Sequence, residues 1–447
     1  MVAPRLVQSG SACASLAQRI LASASNNASV TPGDIVTCRV DLAMIHDSGG
    51  PRRVEPVLQE LGASLFDASK VVLVADHYVP ADDDESRAIQ SLTRRWAIEQ
   101  QVTFYDGEGI CHVVLPERGH LEPGMLVVGG DSHSPTGGAF GSYMFGVGST
   151  EMAGVLATGE IWLQVPRTIL LQWNHALPER VVAKDMMLAM CARMGMDGGE
   201  YQAIEYTGDT IASLSMQERM TLSNMAAELG AQAGLIAPDQ TTVAALRAAG
   251  NDNSVDLEKW QATDISAADT HIVFDAAALT PQVAAPHSPA NAADVDVMDK
   301  ENLDVAYIGA CTGAKYADLC MAADMLAGRQ VHSRVQLIVA PASQRDQQRA
   351  QAAGVMQVLE QAGARVLPTA CGICAGYGSE RLAAEVNCIS STARNFKGRM
   401  GEASSRVWLA SPYTVAASAV TGVITDPREI DCTAEFYQHG VAGEASQ

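Results

Sequence analysis

The sequence predicts an α/β protein that is built from more than one domain. Apolar runs that read as buried strands alternate with amphipathic helices, and polar residues repeatedly follow the strands. Aromatic residues make up only 5% of the chain, while alanine and glycine are abundant. This composition favours close-packed layers of helices and sheets over a β-sandwich. A length of 447 residues is too great for one ordinary domain, so we expect two or three.

The composition also argues against several classes of protein. The net charge is −21, which opposes a general binding surface for nucleic acids or anionic membranes. An anionic substrate would therefore need a site where the few arginines gather. No apolar run reaches the length of about 18 residues that a membrane span requires. The ten cysteines show no spacing typical of a disulfide framework, so we expect a reducing compartment, the cytoplasm.

The first part of the chain repeats one pattern, an apolar strand that ends in histidine or aspartate. Strands are predicted at 31–47, 70–80 and 126–130, and helices at 15–24 (in preference to a transit peptide), at 81–100 and from about Ser149. The polar residues that follow are His46 with Asp47, Asp76 with His77, His112 after a glycine turn, and Asp131 with Ser132 and His133. Open α/β sheets place ligands at strand ends. Because Asp–His pairs hold an imidazole ready for proton transfer, we interpret these residues as parts of a catalytic site.

The middle of the chain supplies one further candidate pair. The segment 214–239 is predicted as a helix, which places Asn224 and Glu228 four residues apart on one face. Their neighbours are mostly apolar, and polar groups in such surroundings usually need partners. Residues 240–270 are predicted to be polar and helical, without a functional signal. The segment 285–304 has no periodicity, and we interpret it as a linker before the last domain.

Two glycine-rich stretches near the C-terminus carry three cysteines. Cys311 lies in 306–315, and Cys371 and Cys374 form a Cys-x-x-Cys pair in 369–376. Each stretch follows an apolar run, as expected for a loop after a strand. Structural zinc and electron-transfer iron–sulfur clusters normally take four protein ligands, whereas three thiolates suit a cluster with one iron open to substrate. The alternative is a buried thiol together with a chance Cys-x-x-Cys pair.

Two arginines follow the cysteines. Arg394 and Arg399 stand five residues apart in a segment with little helical pattern, and they are candidate clamps for anionic groups. Residues 412–422 are predicted to form a closing helix with small side chains. Cys320 lies on the helix after Cys311, so we predict a core residue there rather than a fourth ligand.

Five sequence blocks carry a resemblance to a known family. The chain resembles the large subunits of 3-isopropylmalate dehydratases, in the aconitase family, and the blocks stand in that family's order. They are GDSHSPTGGAFGSYMFGVGSTE (130–151), MTLSNMAAELGAQAGLIAPD (220–239), YIGACTGAK (307–315), CGICAG (371–376) and ARNFKGRMG (393–401). Together they extend over most of the chain.

The resemblance implies a three-domain α/β/α architecture that lacks the swivelling C-terminal domain of single-chain relatives. The expected domains are 1–165 with the Asp and His residues, 166–290 with the helix of Asn224 and Glu228, and 291–447 with the cysteines and arginines. The resemblance also implies a [4Fe–4S] cluster, held by the three cysteines, whose fourth iron binds a carboxylate and a hydroxyl of the substrate.

The resemblance further implies a role for each site residue. Those expected to be catalytic are Asp76, His77, His112, Asp131, His133 and Glu228, and those expected to bind substrate are His46, Ser132, Asn224, Arg394 and Arg399. His77 would be the acid that helps the hydroxyl leave. The reaction would be the reversible dehydration of a hydroxy di- or tricarboxylic acid such as 3-isopropylmalate. Alternative substrates are 2-methylmalate, 2,3-dimethylmalate, homocitrate and citrate.

The resemblance also implies a partner, because no stretch of the chain matches the family's serine-base loop. A small subunit would then carry the swivelling domain and the serine base. A regulatory protein that binds RNA is a remote alternative, and the net charge of −21 opposes it. An electron-transfer protein is disfavoured because a fourth cysteine is wanting.

Three stretches depart from the family's pattern. In the cluster loop, Gly313 and Lys315 stand where asparagine and arginine are usual. Ala393 replaces an asparagine before the first arginine, and Ile373 replaces proline or alanine in the Cys-x-x-Cys pair. Two amide side chains expected near the cluster are therefore absent.

Overall fold

The computed structural model describes residues 14–377, 380–432 and 434–438. Within these ranges the strands form three large sheets and one two-stranded ribbon, and helices pack against them. In the same part of the chain, no helix has both the length and the apolar character needed to cross a membrane. The α/β class predicted from the sequence is confirmed.

The first sheet has five strands, which all run parallel. They are β2 (Leu42–His46), β3 (Val71–Ala75), β4 (Thr103–Asp106), β5 (Leu126–Gly129) and β6 (Tyr143–Gly146), while β1 (Ile35–Arg39) pairs with β7 (Glu160–Gln164) in the antiparallel ribbon. The helices here are α1 (Leu16–Ala24), α2 (Pro51–Leu61), α3 (Asp84–Gln100), α4 (Cys111–Glu117) and α5 (Ser149–Thr158). The strand order is β4-β3-β2-β5-β6. The order reverses between β2 and β5, so a crevice opens at their carboxyl ends, where open α/β sheets bind ligands.

The second sheet has four parallel strands, β8 (Thr168–Asn174), β9 (Ala203–Thr207), β10 (Ala233–Ile236) and β11 (Thr270–Asp275), in the order β10-β9-β8-β11. Its helices are α6 (Ala183–Met194), α7 (Asp209–Ser213), α8 (Met216–Met225) and α9 (Gln240–Ala248). Ser215 and Glu218 form a capping box that fixes the start of α8. The other end of α8 carries Asn224.

The third sheet has seven strands, five of them parallel. The strands are β12 (Gln282–Ala284), β13 (Ala292–Asp294), β14 (Val305–Ile308), β15 (Gln336–Val339), β16 (Arg365–Val366), β17 (Asn387–Ser390) and β18 (Arg406–Ala410). The helices are α10 (Tyr316–Leu326), α11 (Gln344–Ala352), α12 (Val355–Gln361) and α13 (Pro412–Thr421). In the order β13-β12-β18-β17-β14-β15-β16, the direction of travel reverses between β14 and β17. A second crevice therefore opens at their carboxyl ends.

A common core joins the first and third sheets. Met44 and Val72 of the first sheet belong to the same buried apolar cluster as Ile308 and Ile389 of the third. Burial of one such side chain contributes about 1.5–3 kcal/mol, so the joint between the sheets is well supported. The loops above the two crevices touch as well, since the N–H of Cys371 donates to the carbonyl oxygen of Asp76 at 2.9 Å.

Several predictions of local structure are wrong in detail. The stretch 31–47 is not one strand, because it divides into β1 and β2, which join different sheets. Alternate residues of β1 are buried, as in a surface ribbon, whereas every residue of β2 is buried. The segment 214–239 is helical only to Met225; a 3₁₀ turn follows, and Gly230 (φ 72°) directs the chain into β10. Residues 240–270 are α-helical only as far as Ala248, and one short 3₁₀ turn follows at Ile265–Ala267.

The segment 285–304 is not a structureless linker either, because it contains β13 and directly follows β12. β12 pairs with β18, so the third sheet begins before residue 291. The division into three domains stays a prediction. The helices expected at 15–24, 81–100, from Ser149 and at 412–422 are confirmed as α1, α3, α5 and α13.

Candidate functional site

The polar residues singled out in the sequence meet where the two crevices adjoin. They surround a cavity of about 620 Å³. The candidates on its wall are His46, His77, Asp131, Ser132, Arg394 and Arg399. The other candidates contact this wall or the cysteines from behind, through the hydrogen bonds described below.

His77 follows β3 and is held by its neighbour Asp76. His77 Nδ1 lies 2.6 Å from Asp76 Oδ1, and both side chains are buried. Burial opposes the charged imidazolium, but the charge and the hydrogen bond of Asp76 outweigh it and raise the pKa of His77 to about 10. His77 is therefore protonated at neutral pH. Its Nε2 lies 3.8 Å from Asp131 Oδ2.

His46 and Asp47, at the end of β2, support His77 in different ways. The ring of His46 stacks on that of His77 with centroids 4.2 Å apart, and its Nε2 lies 2.9 Å from the carbonyl oxygen of Gly130. Burial and the neighbouring His77 lower the pKa of His46, which leaves this ring neutral. The carboxylate of Asp47 accepts the N–H of His77 at 3.0 Å and of Tyr78 at 2.8 Å. Asp47 thus shapes the loop that presents His77 to the cavity.

Asp131 is the centre of a second group of histidines. Its Oδ1 lies 2.8 Å from His112 Nε2 and accepts the backbone N–H of His133, also at 2.8 Å. Burial opposes the charged carboxylate, but the side chains of His112 and His133 outweigh it and hold the pKa of Asp131 well below its usual range. The prediction that His112 stands at the end of a strand is wrong. His112 is the second residue of α4, because the glycine turn leads from β4 into a helix.

Glu228 connects this group to the arginines. It lies in the 3₁₀ turn after α8 and is only 1% exposed. Glu228 Oε1 accepts a hydrogen bond from Arg394 Nε at 2.6 Å and lies 3.1 Å from His133 Nε2. Despite burial, these two partners lower the pKa of Glu228, so it is a carboxylate. Arg394 also donates to Ser132 Oγ at 2.8 Å, and this hydrogen bond connects the loops that follow strands of the third and first sheets.

The three cysteines lie beyond the carboxyl ends of strands in the third sheet. Cys311 follows β14, and Cys371 and Cys374 follow β16. A hydrogen bond from Cys371 outweighs burial and lowers the pKa of Cys374 to about 5, while the pKa of Cys371 is raised well above its usual range. Burial raises the pKa of Cys311 to about 12. The pair therefore shares one proton, and metal binding would displace protons from two thiols.

These thiols and their surroundings fit a bulky inorganic group. Asn224 Nδ2 donates to Cys311 Sγ at 3.1 Å, a contact that suits a ligating sulfur. Asn224 Oδ1, His112 Nδ1 and Arg399 Nε are buried and have no hydrogen-bond partner among the described residues. A Cβ built on Gly372, between the paired cysteines, would meet nothing within 4 Å. The site thus combines sulfur donors, unpaired polar atoms and free space.

Lys315 holds the Cys311 loop, a role that was not predicted from the sequence. This lysine is fully buried. Its Nζ donates to Asp318 Oδ2 at 2.6 Å, to Thr221 Oγ1 at 3.0 Å and to the carbonyl oxygen of Cys311 at 3.1 Å. The signal was present in the sequence, because a lysine between small residues and an apolar helix needs buried partners.

Lys184 and Ser391 fasten the neighbouring loop and were also missed. Lys184 Nζ reaches from α6 to the carbonyl oxygens of Ser391 (3.2 Å) and Thr392 (2.6 Å), just before Arg394. The hydroxyl of Ser391 donates to the carbonyl oxygen of Gly313 at 3.1 Å. A side chain at Gly313 would collide with Ser391, so the departure from the family's pattern at Gly313 matches this close packing.

A larger cavity of about 880 Å³ lies between α5, β7 and the loop before β8. Trp162 and several carboxylate and amide side chains line it. Its lining contains no histidine, whereas His46 and His77 line the smaller cavity together with Asp131. Chemistry therefore favours the smaller cavity as the candidate site.

Comparison with known proteins decides the family. The model of the Aconitase family (aconitate hydratase) matches residues 18–422. This chain belongs to the aconitase family. "3-isopropylmalate dehydratase large subunit 1" of Methanopyrus kandleri is 43% identical over 416 residues, which cover 92% of this chain and 98% of that protein. "Probable methanogen homoaconitase large subunit" of Methanothermobacter thermautotrophicus is 40% identical over 421 residues, 93% and 97% of the two chains.

Among solved structures, the chain is similar to Thermococcus kodakaraensis aconitase X in its holo form, with a TM-score of 0.47 and 11% sequence identity. The match covers 80% of this chain and 84% of the aconitase X chain. The family match and the close relatives confirm the resemblance found in the sequence and the class of enzyme, a hydro-lyase. Membership of the aconitase family also implies an iron–sulfur cluster, which the three thiols fit.

Proposed function

We propose that this member of the aconitase family is the cluster-bearing large subunit of a hydro-lyase like 3-isopropylmalate dehydratase, acting reversibly on a hydroxy di- or tricarboxylic acid. The observation that carries the proposal is a cavity lined by the protonated His77, Arg394 and Arg399, with the cysteine loops beside it: the N–H of Cys371 donates to Asp76, the partner of His77. The names of the close relatives support it, since one is a 3-isopropylmalate dehydratase large subunit and another a probable methanogen homoaconitase large subunit.

Cys311, Cys371 and Cys374 would hold a cluster of the [4Fe–4S] type. With three protein ligands, one iron stays available to a carboxylate and a hydroxyl of the substrate, and it would supply the Lewis acidity that loosens the hydroxyl. Asn224 supports this arrangement through its hydrogen bond to Cys311 Sγ. The cluster type rests on the number of thiols, because four-cysteine sites leave no iron open.

His77 is the proposed proton donor to the departing hydroxyl. It lies on the cavity wall, and Asp76 keeps it charged at neutral pH. General acids act best when they are already protonated and within hydrogen-bond reach of the leaving group. The stacked, neutral ring of His46 fixes the plane of His77 without competing for its proton.

Asp131, held by His112 and His133, is the proposed acceptor that orients the proton donor and the substrate hydroxyl. Its lowered pKa keeps it ionised. Arg394 and Arg399 are the proposed clamps for substrate carboxylates, because a planar guanidinium matches a carboxylate with two parallel hydrogen bonds. Glu228 and Ser132 orient Arg394 for this task.

The base that removes the carbon-bound proton is proposed to come from a small subunit with the swivelling domain and a serine base. A cytoplasmic location is part of the proposal, since free thiols of this kind survive in reducing compartments. The candidate substrates are 3-isopropylmalate, 2-methylmalate, 2,3-dimethylmalate, homocitrate and citrate.

The test is anaerobic reconstitution of the chain with and without a co-expressed small subunit. We expect four iron and four sulfide per chain, as the cluster formula states, and formation of an unsaturated acid only when both subunits are present. Stoichiometric zinc without sulfide would refute the cluster. Full turnover by the isolated chain would refute the assignment of the base to a partner.

A further inference from the structure

Arg53 is an unpaired cation on the wall of the candidate site. It lies in the first turn of α2, and its side chain is exposed to the cavity that His77, Arg394 and Arg399 also line. The part of the chain that the structure describes offers the Arg53 side chain no hydrogen bond and no ion pair. Arg39, Arg167 and Arg247 likewise have no side-chain hydrogen bond and no ion pair among the described residues, but of these four arginines Arg53 alone lines this cavity.

The position of Arg53 is also unfavourable for the helix itself. The N-terminal turn of a helix carries the positive end of the helix dipole, where acidic residues stabilise and basic residues do not. The first turn of α2 contains no acid. The neighbouring Arg52 is accounted for, because it donates to the hydroxyl of Tyr78 at 3.1 Å and approaches Glu85 at 3.9 Å. Arg53 has no such structural partner, which points to a ligand.

The charge balance of the cavity indicates what that ligand is. Arg53, Arg394, Arg399 and the protonated His77 line it together with one carboxylate, Asp131. Behind the wall, Asp76 already pairs with His77 and Glu228 with Arg394, so among the described residues Arg53 and Arg399 are the wall cations without an ion pair. Two of these arginines already serve two substrate carboxylates in the proposed function. An alkyl group opposite Arg53 would displace the water around the guanidinium without replacing its hydrogen bonds, and this desolvation would weaken binding. A third carboxylate would pair with it.

We propose that Arg53 is a specificity-determining residue that binds a third carboxylate, so that the preferred substrates are hydroxytricarboxylic acids rather than alkyl-substituted malates. Val57, one turn further along the same face of α2, lines the cavity beside it. Arg53 and Val57 together suit a carboxylate on a short methylene arm. This inference rests on the proposed function for the other two carboxylates, and it selects among its substrates.

The experiment compares Arg53→Leu with the matched control Arg52→Leu in the cluster-loaded complex of both subunits. The substrates are homocitrate and citrate on one side and 3-isopropylmalate on the other. We expect the native complex to prefer a tricarboxylate. Loss of a charge-assisted hydrogen bond to a carboxylate in Arg53→Leu should lower kcat/KM for the tricarboxylates by at least about tenfold. The value for 3-isopropylmalate should stay unchanged or rise, and Arg52→Leu should leave the preference unaltered.

A binding measurement separates this inference from the hydro-lyase proposal. Calorimetry with propane-1,2,3-tricarboxylate and with isopropylsuccinate, which cannot react, should show that Arg53→Leu weakens only the first. If Arg53→Leu weakens only the tricarboxylate but the complex turns over none of the acids, the proposed reaction is refuted while the carboxylate site at Arg53 is supported. Turnover with equal losses for both substrate classes would overturn the inference alone. The inference would also be overturned if Arg53→Leu released the small subunit and left KM unchanged for both substrate classes. Arg53 would then be a contact to the small subunit.

Discussion

Replacement of Lys315 by methionine tests how the Cys311 loop is held. The lysine is fully buried, and its nearest partner, Asp318, has a side chain that is only 7% exposed. Removing one member of a buried ion pair leaves the other charged and unpaired, which costs about 3–5 kcal/mol. We therefore expect Lys315→Met to lower the free energy of unfolding by that amount. We also expect it to reduce the sulfide content after reconstitution, because the carbonyl of Cys311 loses its donor.

A second substitution divides this cost into its parts. In Lys315→Met with Asp318→Asn, the unpaired charge disappears and the amide oxygen can still accept the backbone N–H of Lys315 that caps α10. What remains is the loss of the bonds to Thr221 and to the Cys311 carbonyl, about 1–2 kcal/mol in total. The double variant should therefore be more stable than the single one by about 2–3 kcal/mol, a coupling typical of residues in contact.

The assay is urea unfolding of the cluster-free chain under anaerobic conditions, with Lys300→Met as the control because Lys300 is exposed. Midpoints are converted to free energies only where the m-value is unchanged. A loss below about 1 kcal/mol in Lys315→Met, or a double variant no more stable than the single one, would refute the reasoning from the buried ion pair.

Three further predictions concern the site. Cys311→Ser should abolish cluster assembly, measured as iron and sulfide per chain, whereas Cys320→Ser should not, since Cys320 is a core residue of α10. Arg399→Lys should weaken substrate binding by at least about tenfold because the planar fork is lost, and an unchanged KM would remove Arg399 from the site. Asp76 raises the pKa of His77 to about 10, whereas the pKa of a histidine in the unfolded chain is about 6.5. The pair therefore stabilises the fold fully below about pH 6.5, and this contribution is lost as the pH rises through about 10. Asp76→Asn should flatten the fall in unfolding midpoint over that range, and an equal slope in both proteins would contradict the assignment.

The sequence by itself determined the residue types and their local setting. Apolar runs broken by Asp, His and Gly are local patterns, so they identified the ends of β2, β3 and β5 and the loops of the cysteines. The same patterns failed where no local rule applies. The alternation of polar and apolar residues gave no sign that 31–47 divides into β1 and β2. Nor did the sequence show that the helix of Asn224 ends before Glu228, which lies in a 3₁₀ turn.

Only the tertiary structure decided which of these residues meet. Glu228 and Arg394 are 166 positions apart, and Lys184 and Thr392 are 208 apart, yet both pairs are in hydrogen-bond contact. Such contacts follow from strand order, which places β14 beside β17 and β2 beside β5, and from the core that joins the two sheets. Strand order in a parallel sheet depends on how crossover helices pack, and local sequence patterns carry no record of it. For the same reason the unpaired position of Arg53 became visible only when its surroundings were in place.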